Sequence, residues 1–207
     1  EIHHRVKNNL QTISSLLRLQ ARRFESQEAK VAIEESVRRI RSIALVHETL
    51  SREAGDDVAF IEIVRPLVRM VEDGMSSDDR PVRFHVNGDA GVLPAEVATP
   101  ASVVLNELLQ NAIDHAFPEE LDLQAAPGQV TVSLSNDGDQ LRAQVVDDGV
   151  GLSPDFDLDT ATGLGLSIVR TLVTSELMGT ISLRRGDGPA DRPGTVVQVD
   201  IPVARRE

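Results

Sequence analysis

Apolar positions in the first fifty residues recur with a helical period. At about 100° per residue, Ile2, Val6, Leu10, Ile13, Leu17 and Phe24 fall on one stripe, with Gln20 at its edge. The pattern predicts a helix over 1–24, a break at Glu25-Ser26 with Ser26 as N-cap, and a second helix to about Ser51. Ile33, Val37, Ile40, Ala44 and His47 form the seam of that second helix, while Glu34→Arg38 and Glu35→Arg39 read as i,i+4 pairs on its surface. So short a connection makes an antiparallel helical hairpin. Two helices alone bury little of two apolar stripes, so the hairpin is expected to pair with its copy as a four-helix bundle in a dimer.

The helical period stops at Ala54-Gly55-Asp56-Asp57, the expected linker. Beyond it the pattern alternates between classes. Helices are predicted over Phe60–Asp73, Pro94 to about Phe117 and Leu164–Leu177. Strands are predicted over Val82–Val86 (Val82, Phe84 and Val86 inward), Val130–Leu134, Leu141–Val146, Ile181–Leu183 and Val196–Ile201. Asn136-Asp137-Gly138-Asp139 is a hairpin signal between two of them. Hairpins mixed with helices, without strict βαβ alternation, give an α+β sandwich with helices on one face of a mixed sheet. The expected organisation is a helical hairpin over 1–54 and an α+β domain over 55–207.

Composition narrows the function classes. A net charge of −12 over 207 residues argues against a direct nucleic-acid surface, which would show a basic excess. Nucleotides stay open, because backbone N–H groups and a cation hold phosphates inside an acidic protein. The absence of Cys excludes disulfides and thiolate metal sites and fits a cytoplasmic protein. No apolar run reaches the ~18 residues of a membrane span. With five Phe and no Trp or Tyr, the core is aliphatic and offers no aromatic stacking platform. The chain opens mid-helix without Met, so it is expected to be a piece of a longer protein whose upstream part is missing.

Four stretches carry candidate chemistry. His4 lands almost opposite the apolar stripe of the first helix, with Asn8 and Gln11 at i+4 and i+7 and Arg5 and Lys7 nearby. This is an imidazole aimed at solvent, in the manner of a nucleophile. On the helix over Pro94–Phe117, Leu105, Leu108, Leu109, Ala112 and Ala116 form the buried face. Glu107, Asn111 and His115 line a neighbouring stripe at i, i+4 and i+8. A carboxylate one turn from a carboxamide suits Mg2+, which wants hard oxygens and keeps several waters. Asp147-Asp148-Gly149-Val150-Gly151 follows a strand, where an Asp accepts a hydrogen bond from an amine and Gly lets a ligand approach the backbone. Gly163-Leu164-Gly165-Leu166 opens a helix, whose first N–H groups bind phosphate. Each stretch alone has an ordinary structural explanation, as a solvated helix flank, an acidic turn or packing glycines.

Their order changes that. Asn-Glu-x-x-x-Asn on a helix, Asp-x-Gly-x-Gly after a strand, Gly-x-Gly-Leu at a helix start and Pro193-Gly194-Thr195 before the last strand resemble the N, G1, G2 and G3 boxes of the GHKL ATPase superfamily, the Bergerat fold. With Glu1-Ile2-His3-His4-Arg5-Val6-Lys7-Asn8-Asn9-Leu10-Gln11 in front, the chain resembles sensor histidine kinase cores of the HisKA_2/HWE-like class over essentially all its length. The resemblance implies autophosphorylation of His4 from Mg-ATP, with Asn8 positioning water or the incoming phosphoryl group. It implies Asn111 as Mg2+ ligand and Glu107 as the carboxylate that polarises the His or orders a metal-bound water. Asp147 is implied to bind the adenine amine, and Gly149, Gly151, Gly163, Leu164, Gly165, Leu166, His115 and Thr195 to line the nucleotide pocket. It further implies a response regulator's receiver domain as phosphoryl acceptor, in a regulator that also carries an RNA-binding antiterminator module. A GHKL ATPase or a protein serine kinase that does not use the histidine is the alternative. Two positions depart from the pattern: Asp148 stands where Asn is usual, and Asp114 stands where a basic residue is frequent. Arg170 or His115 is the candidate substitute for that cation, and the sequence leaves the choice open.

Overall fold

The computed structural model describes residues 2–50, 57–75, 81–118, 121–158 and 163–203, with the side chains at 2–8, 28, 31, 46, 47, 49, 50, 74 and 75 outside the description. His3, His4, Asn8 and His47 therefore lie on helices whose backbone is described while their side chains are not.

Two antiparallel helices lead, α1 (Ile2–Ala21) and α2 (Gln27–Leu50). The first ends three residues before the expected Phe24, in a turn closed by Arg23 N–H to Gln20 O and Phe24 N–H to Ala21 O. Ser26 caps α2 through Ala29 N–H to its Oγ at 3.3 Å. Within the chain, α1 buries Ser14 and Ala21 and half-buries Leu10 and Leu17. Ile13 and Phe24 of the predicted stripe stay about half exposed, beside exposed Leu16 and Leu19. The apolar arc of α1 is thus wider than the face α2 covers.

The rest of the chain is a two-layer sandwich. After β1 (Asp57–Ala59) and α3 (Phe60–Met75) come β2 (Val82–Gly88), β3 (Val92–Pro94) and α4 (Ala95–Ala116). Then follow β4 (Gly128–Asn136), β5 (Gln140–Asp147), α5 (Leu164–Thr171), β6 (Thr180–Arg185) and β7 (Thr195–Pro202). The five-stranded sheet has the order β2-β4-β5-β7-β6. Its β2–β4 pair is parallel and the others are antiparallel. A parallel pair needs a long crossover, here supplied by β3 and α4. One sheet face carries Val130, Val132, Leu134, Leu141, Val145, Val197, Val199 and Ile201 into the core against α3, α4 and α5. The other carries Gln144, Gln198 and the Arg142–Asp200 pair.

Three sequence expectations are corrected. The short strands β1 and β3, which pair antiparallel over Asp57↔Pro94 to Ala59↔Val92, escape a periodicity reading because three residues hold too little alternation. Asp57, expected in the linker, opens β1, while the linker's other residues lie outside the described ones. The helix expected over Leu164–Leu177 is α-helical only to Thr171 and continues as a π-helical turn over Leu172–Glu176.

Candidate active site

Helix α4 is the wall on which the site is built. Packed among α2, α3, α5 and the sheet, it buries Leu105, Leu108, Leu109, Ala112 and Ala116 as the sequence predicts, and Asn106 and Glu107 with them. Glu107 is 2% exposed, so its carboxylate needs a partner inside the protein. That partner comes from the hairpin: Arg39 Nε donates to both Glu107 oxygens, at 2.8 and 2.9 Å. Ser42 Oγ, one turn further along α2, bonds Asn106 Oδ1 at 2.7 Å, and Arg38 lies 3.6 Å from Asp114. Of the pairs expected on the surface of α2, Glu35–Arg39 is present at 3.9 Å. While Arg38 reaches the exposed Asp114 of α4, Arg39 adds a closer bond to the buried Glu107, whose desolvated carboxylate outweighs a solvated one. Removing one member of a buried pair of this kind typically costs about 3–5 kcal/mol.

The start of α5 lies against the same residues. A Cβ at Gly165 would stand 2.9 Å from Glu107 Oε2, 3.4 Å from Arg39 Nη2 and 3.5 Å from Asn111 Oδ1, so a side chain there would displace the end of Glu107. Asn111 is half-buried, and its Nδ2 is buried without a hydrogen-bond partner. Gly163 precedes α5 with open space where its side chain would be. Leu164 is exposed, Leu166 is half-buried, and His115, at the end of the Glu107–Asn111 row, is exposed.

A second cluster sits at the C-terminal end of α4. Asp147 ends β5 and is 7% exposed. Its Oδ1 accepts N–H bonds from Gly149 at 3.0 Å and Thr195 at 3.1 Å. Burial pushes its carboxyl above the usual range, partly offset by these hydrogen bonds. The following turn is clamped on α4, with Val150 N–H donating to Ala116 O at 2.9 Å. A Cβ on Gly149 would come within 2.1 Å of that oxygen. Gly151 takes φ +74° beside Pro193 and Gly194. Sequence reasoning missed Arg192 here. It donates to Asp148 Oδ2 at 2.8 Å, to Asp148 O at 2.9 Å and to Ala126 O at 2.8 Å. Asp148 Oδ1 meanwhile accepts from Gln129 N–H. The acidic residue at this position is thus a tie between strands and loops. Its only sequence signal is a basic residue just before Pro193-Gly194.

By the helical rise of 1.5 Å per residue, Glu107 and Ala116 stand about 14 Å apart along α4. The carboxylate–carboxamide cluster lies under the start of α5, and the buried aspartate lies at the far end. Residues 96–205 match the family of histidine kinase-, DNA gyrase B-, and HSP90-like ATPases, and residues 1–74 match the HisKA_2 family of histidine kinases.

The chain belongs to the histidine kinase-, DNA gyrase B-, and HSP90-like ATPases. Sensor histidine kinase PdtaS of Mycobacterium tuberculosis is 47% identical over 206 residues, which are all of this chain and 39% of that protein. Blue-light-activated histidine kinase 2 of Erythrobacter litoralis is 30% identical over 218 residues, 57% of its length. The chain thus spans about two fifths to three fifths of these curated relatives. Among solved structures, the histidine kinase domain of a blue-light activated histidine kinase from Erythrobacter litoralis superposes with a TM-score of 0.69 at 28% identity. That match covers 98% of this chain and 89% of the other. Both the helical hairpin and the sandwich thereby fall within a histidine kinase fold, and the ATPase family implies ATP binding. No helix among the described residues is long and apolar enough to cross a membrane.

For Mg2+, the family's companion of ATP, the donor set fits. Asn111 Oδ1 faces the start of α5 and a carboxylate stands one turn away, while the unpartnered Asn111 Nδ2 suits a phosphate oxygen and not the cation. One or two protein oxygens complemented by phosphates and waters is the ordinary Mg2+ arrangement.

Proposed function

We propose that this chain is the catalytic core of a two-component sensor histidine kinase that phosphorylates its own His4 from Mg-ATP. The observation that carries the reading is the pairing of buried Glu107 with half-buried Asn111 on α4 beneath Gly165, with Asp147 at the other end of the same helix. A nucleotide laid along α4 would place its adenine amine at the Asp147 carboxylate and its phosphates at the N–H groups that open α5. Gly149, Gly151 and Thr195 shape the adenine end, and Gly163, Leu164, Gly165 and Leu166 the phosphate end, with His115 at the rim. Mg2+ would be held by Asn111, with Glu107 through water, and would supply charge neutralisation. An imidazole nitrogen of His4 attacks the γ-phosphorus, an N–P bond forms, and the bond to the bridging oxygen breaks with release of ADP. Glu107 accepts a hydrogen bond from the other ring N–H and so favours the nucleophilic tautomer. Asn8, one turn from His4, positions the transferred group.

Residues 1–54 serve as dimerisation and phosphotransfer unit and 55–207 as ATP-binding unit. The protein works in the cytoplasm as a homodimer. The next acceptor is an Asp on a receiver domain that docks on the hairpin near His4, in a regulator with an RNA-binding antiterminator module. The likeness to PdtaS-type kinases supports this last step.

The deciding experiment is transfer of γ-labelled phosphate to the chain, beside His4→Gln and His3→Gln. An acid-labile, alkali-stable label lost only in His4→Gln is expected. Loss only in His3→Gln moves the site by one residue. An acid-stable label, or one that survives both changes, favours the serine kinase of the same superfamily. ATP hydrolysis without label favours the ATPase.

A further inference from the structure

Glu107 is a buried carboxylate on the ATP-binding unit, yet its hydrogen bonds among the described residues come from Arg39, 68 positions away on the hairpin. A carboxylate offers about four lone-pair sites. Arg39 Nε engages both oxygens from one side, which fixes the carboxylate plane and leaves the remaining lone pairs for other donors. Arg39 is itself mostly buried, with its side chain 17% exposed against 3% for Glu107, so water does not substitute for it. The contact is braced by the Ser42–Asn106 bond on the same face of α2 and by the approach of Gly165 to both side chains.

We propose that Arg39 is a positioning residue for phosphoryl transfer: through it the hairpin holds the Glu107 carboxylate in its working orientation, so the site is complete only when α2 is docked on α4. This rests on the kinase reading above. Without Arg39 the buried carboxylate loses its counter-charge and turns away, and the polarising contact to the imidazole is lost.

The test uses the whole chain with Arg39→Ala, Arg39→Lys, Glu107→Gln and the Arg39→Ala/Glu107→Gln pair. In labelling with ATP, Arg39→Ala is expected to lower kcat about tenfold or more with little change in KM, and Arg39→Lys to recover part of the loss. In the Glu107→Gln background, Arg39→Ala adds nothing further, because it acts through the carboxylate. A rate at or above wild type in Arg39→Ala would make the contact a restraint and overturns the proposal. So does an equal loss in both backgrounds. A readout independent of activity is the Arg39 Nε–H resonance, assigned by its loss in Arg39→Lys. It is expected to be displaced and slow to exchange in wild type and ordinary in Glu107→Gln, and finding it ordinary in wild type overturns the proposal. A labelled wild type unaffected at Arg39 defeats this inference alone. A silent wild type with the displaced resonance defeats the kinase reading.

Discussion

Asp147 shows how a functional side chain can work against the fold that carries it. Burial raises its carboxyl above the usual carboxylate range, with the hydrogen bonds from Gly149 and Thr195 recovering only part of the cost. The folded state therefore holds this proton more tightly than the unfolded chain. Between the unfolded and the raised folded value the native protein binds more protons, so this group's contribution to stability falls as pH rises through that window and stays unfavourable at pH 7. Asp147→Asn keeps an oxygen for the two N–H donors and removes the charge. Its thermal midpoint is expected at or above wild type at pH 7, by about 2–4 °C per kcal/mol recovered, with the gap closing toward pH 4. ATP affinity, measured calorimetrically, should fall about tenfold or more, a typical loss when a partner is left unpaired in a polar recognition site. Lower stability together with unchanged affinity would contradict the account.

Among the elements, α4 meets two glycine turns in different ways. At Gly149 the obstacle is the Ala116 backbone oxygen, which cannot move without deforming the helix end. Gly149→Ala is expected to lower the stability read from urea unfolding by about 1–3 kcal/mol. At Gly165 the nearest atom is the end of the Glu107 side chain, which yields by turning. Gly165→Ala should leave the urea midpoint nearly unchanged and slow His4 labelling, since it displaces the carboxylate. The two glycine motifs were legible in the sequence because each is contiguous and opens or closes an element. The buried face of α4 was legible because five apolar residues repeat at the helical period. Arg39 and Arg192 were not. Each acts across a long sequence separation, 68 residues to Glu107 and 44 to Asp148, and local pattern gave Arg39 a nearer partner in Glu35. The π-helical turn after α5 was hidden for a related reason, since its composition reads on as helix.

Among the described residues, the helical hairpin exposes apolar side chains that the chain's own fold does not cover. Ile13, Leu16, Leu19 and Phe24 with Ile43 of α2 remain 39–56% exposed, and contiguous patches of this kind mark association surfaces. A second copy packed there would complete the four-helix bundle. We expect Leu16→Glu to shift the chain toward monomer by light scattering while its far-ultraviolet spectrum stays that of wild type. A monomeric wild type would refute the bundle. The seam between α2 and α4 bears on a different question, that of interchange. Histidine kinases invite recombination, hairpin from one and ATPase from another, as though the two were plugs on a common socket. Here the socket has a phase. Moving the junction by one residue turns Arg39 through about 100° and delivers Ile40 to a buried carboxylate. Chimeras of this chain should therefore tolerate exchange only in whole turns of helix, and the spacing between 39 and 107 becomes a rule for cutting.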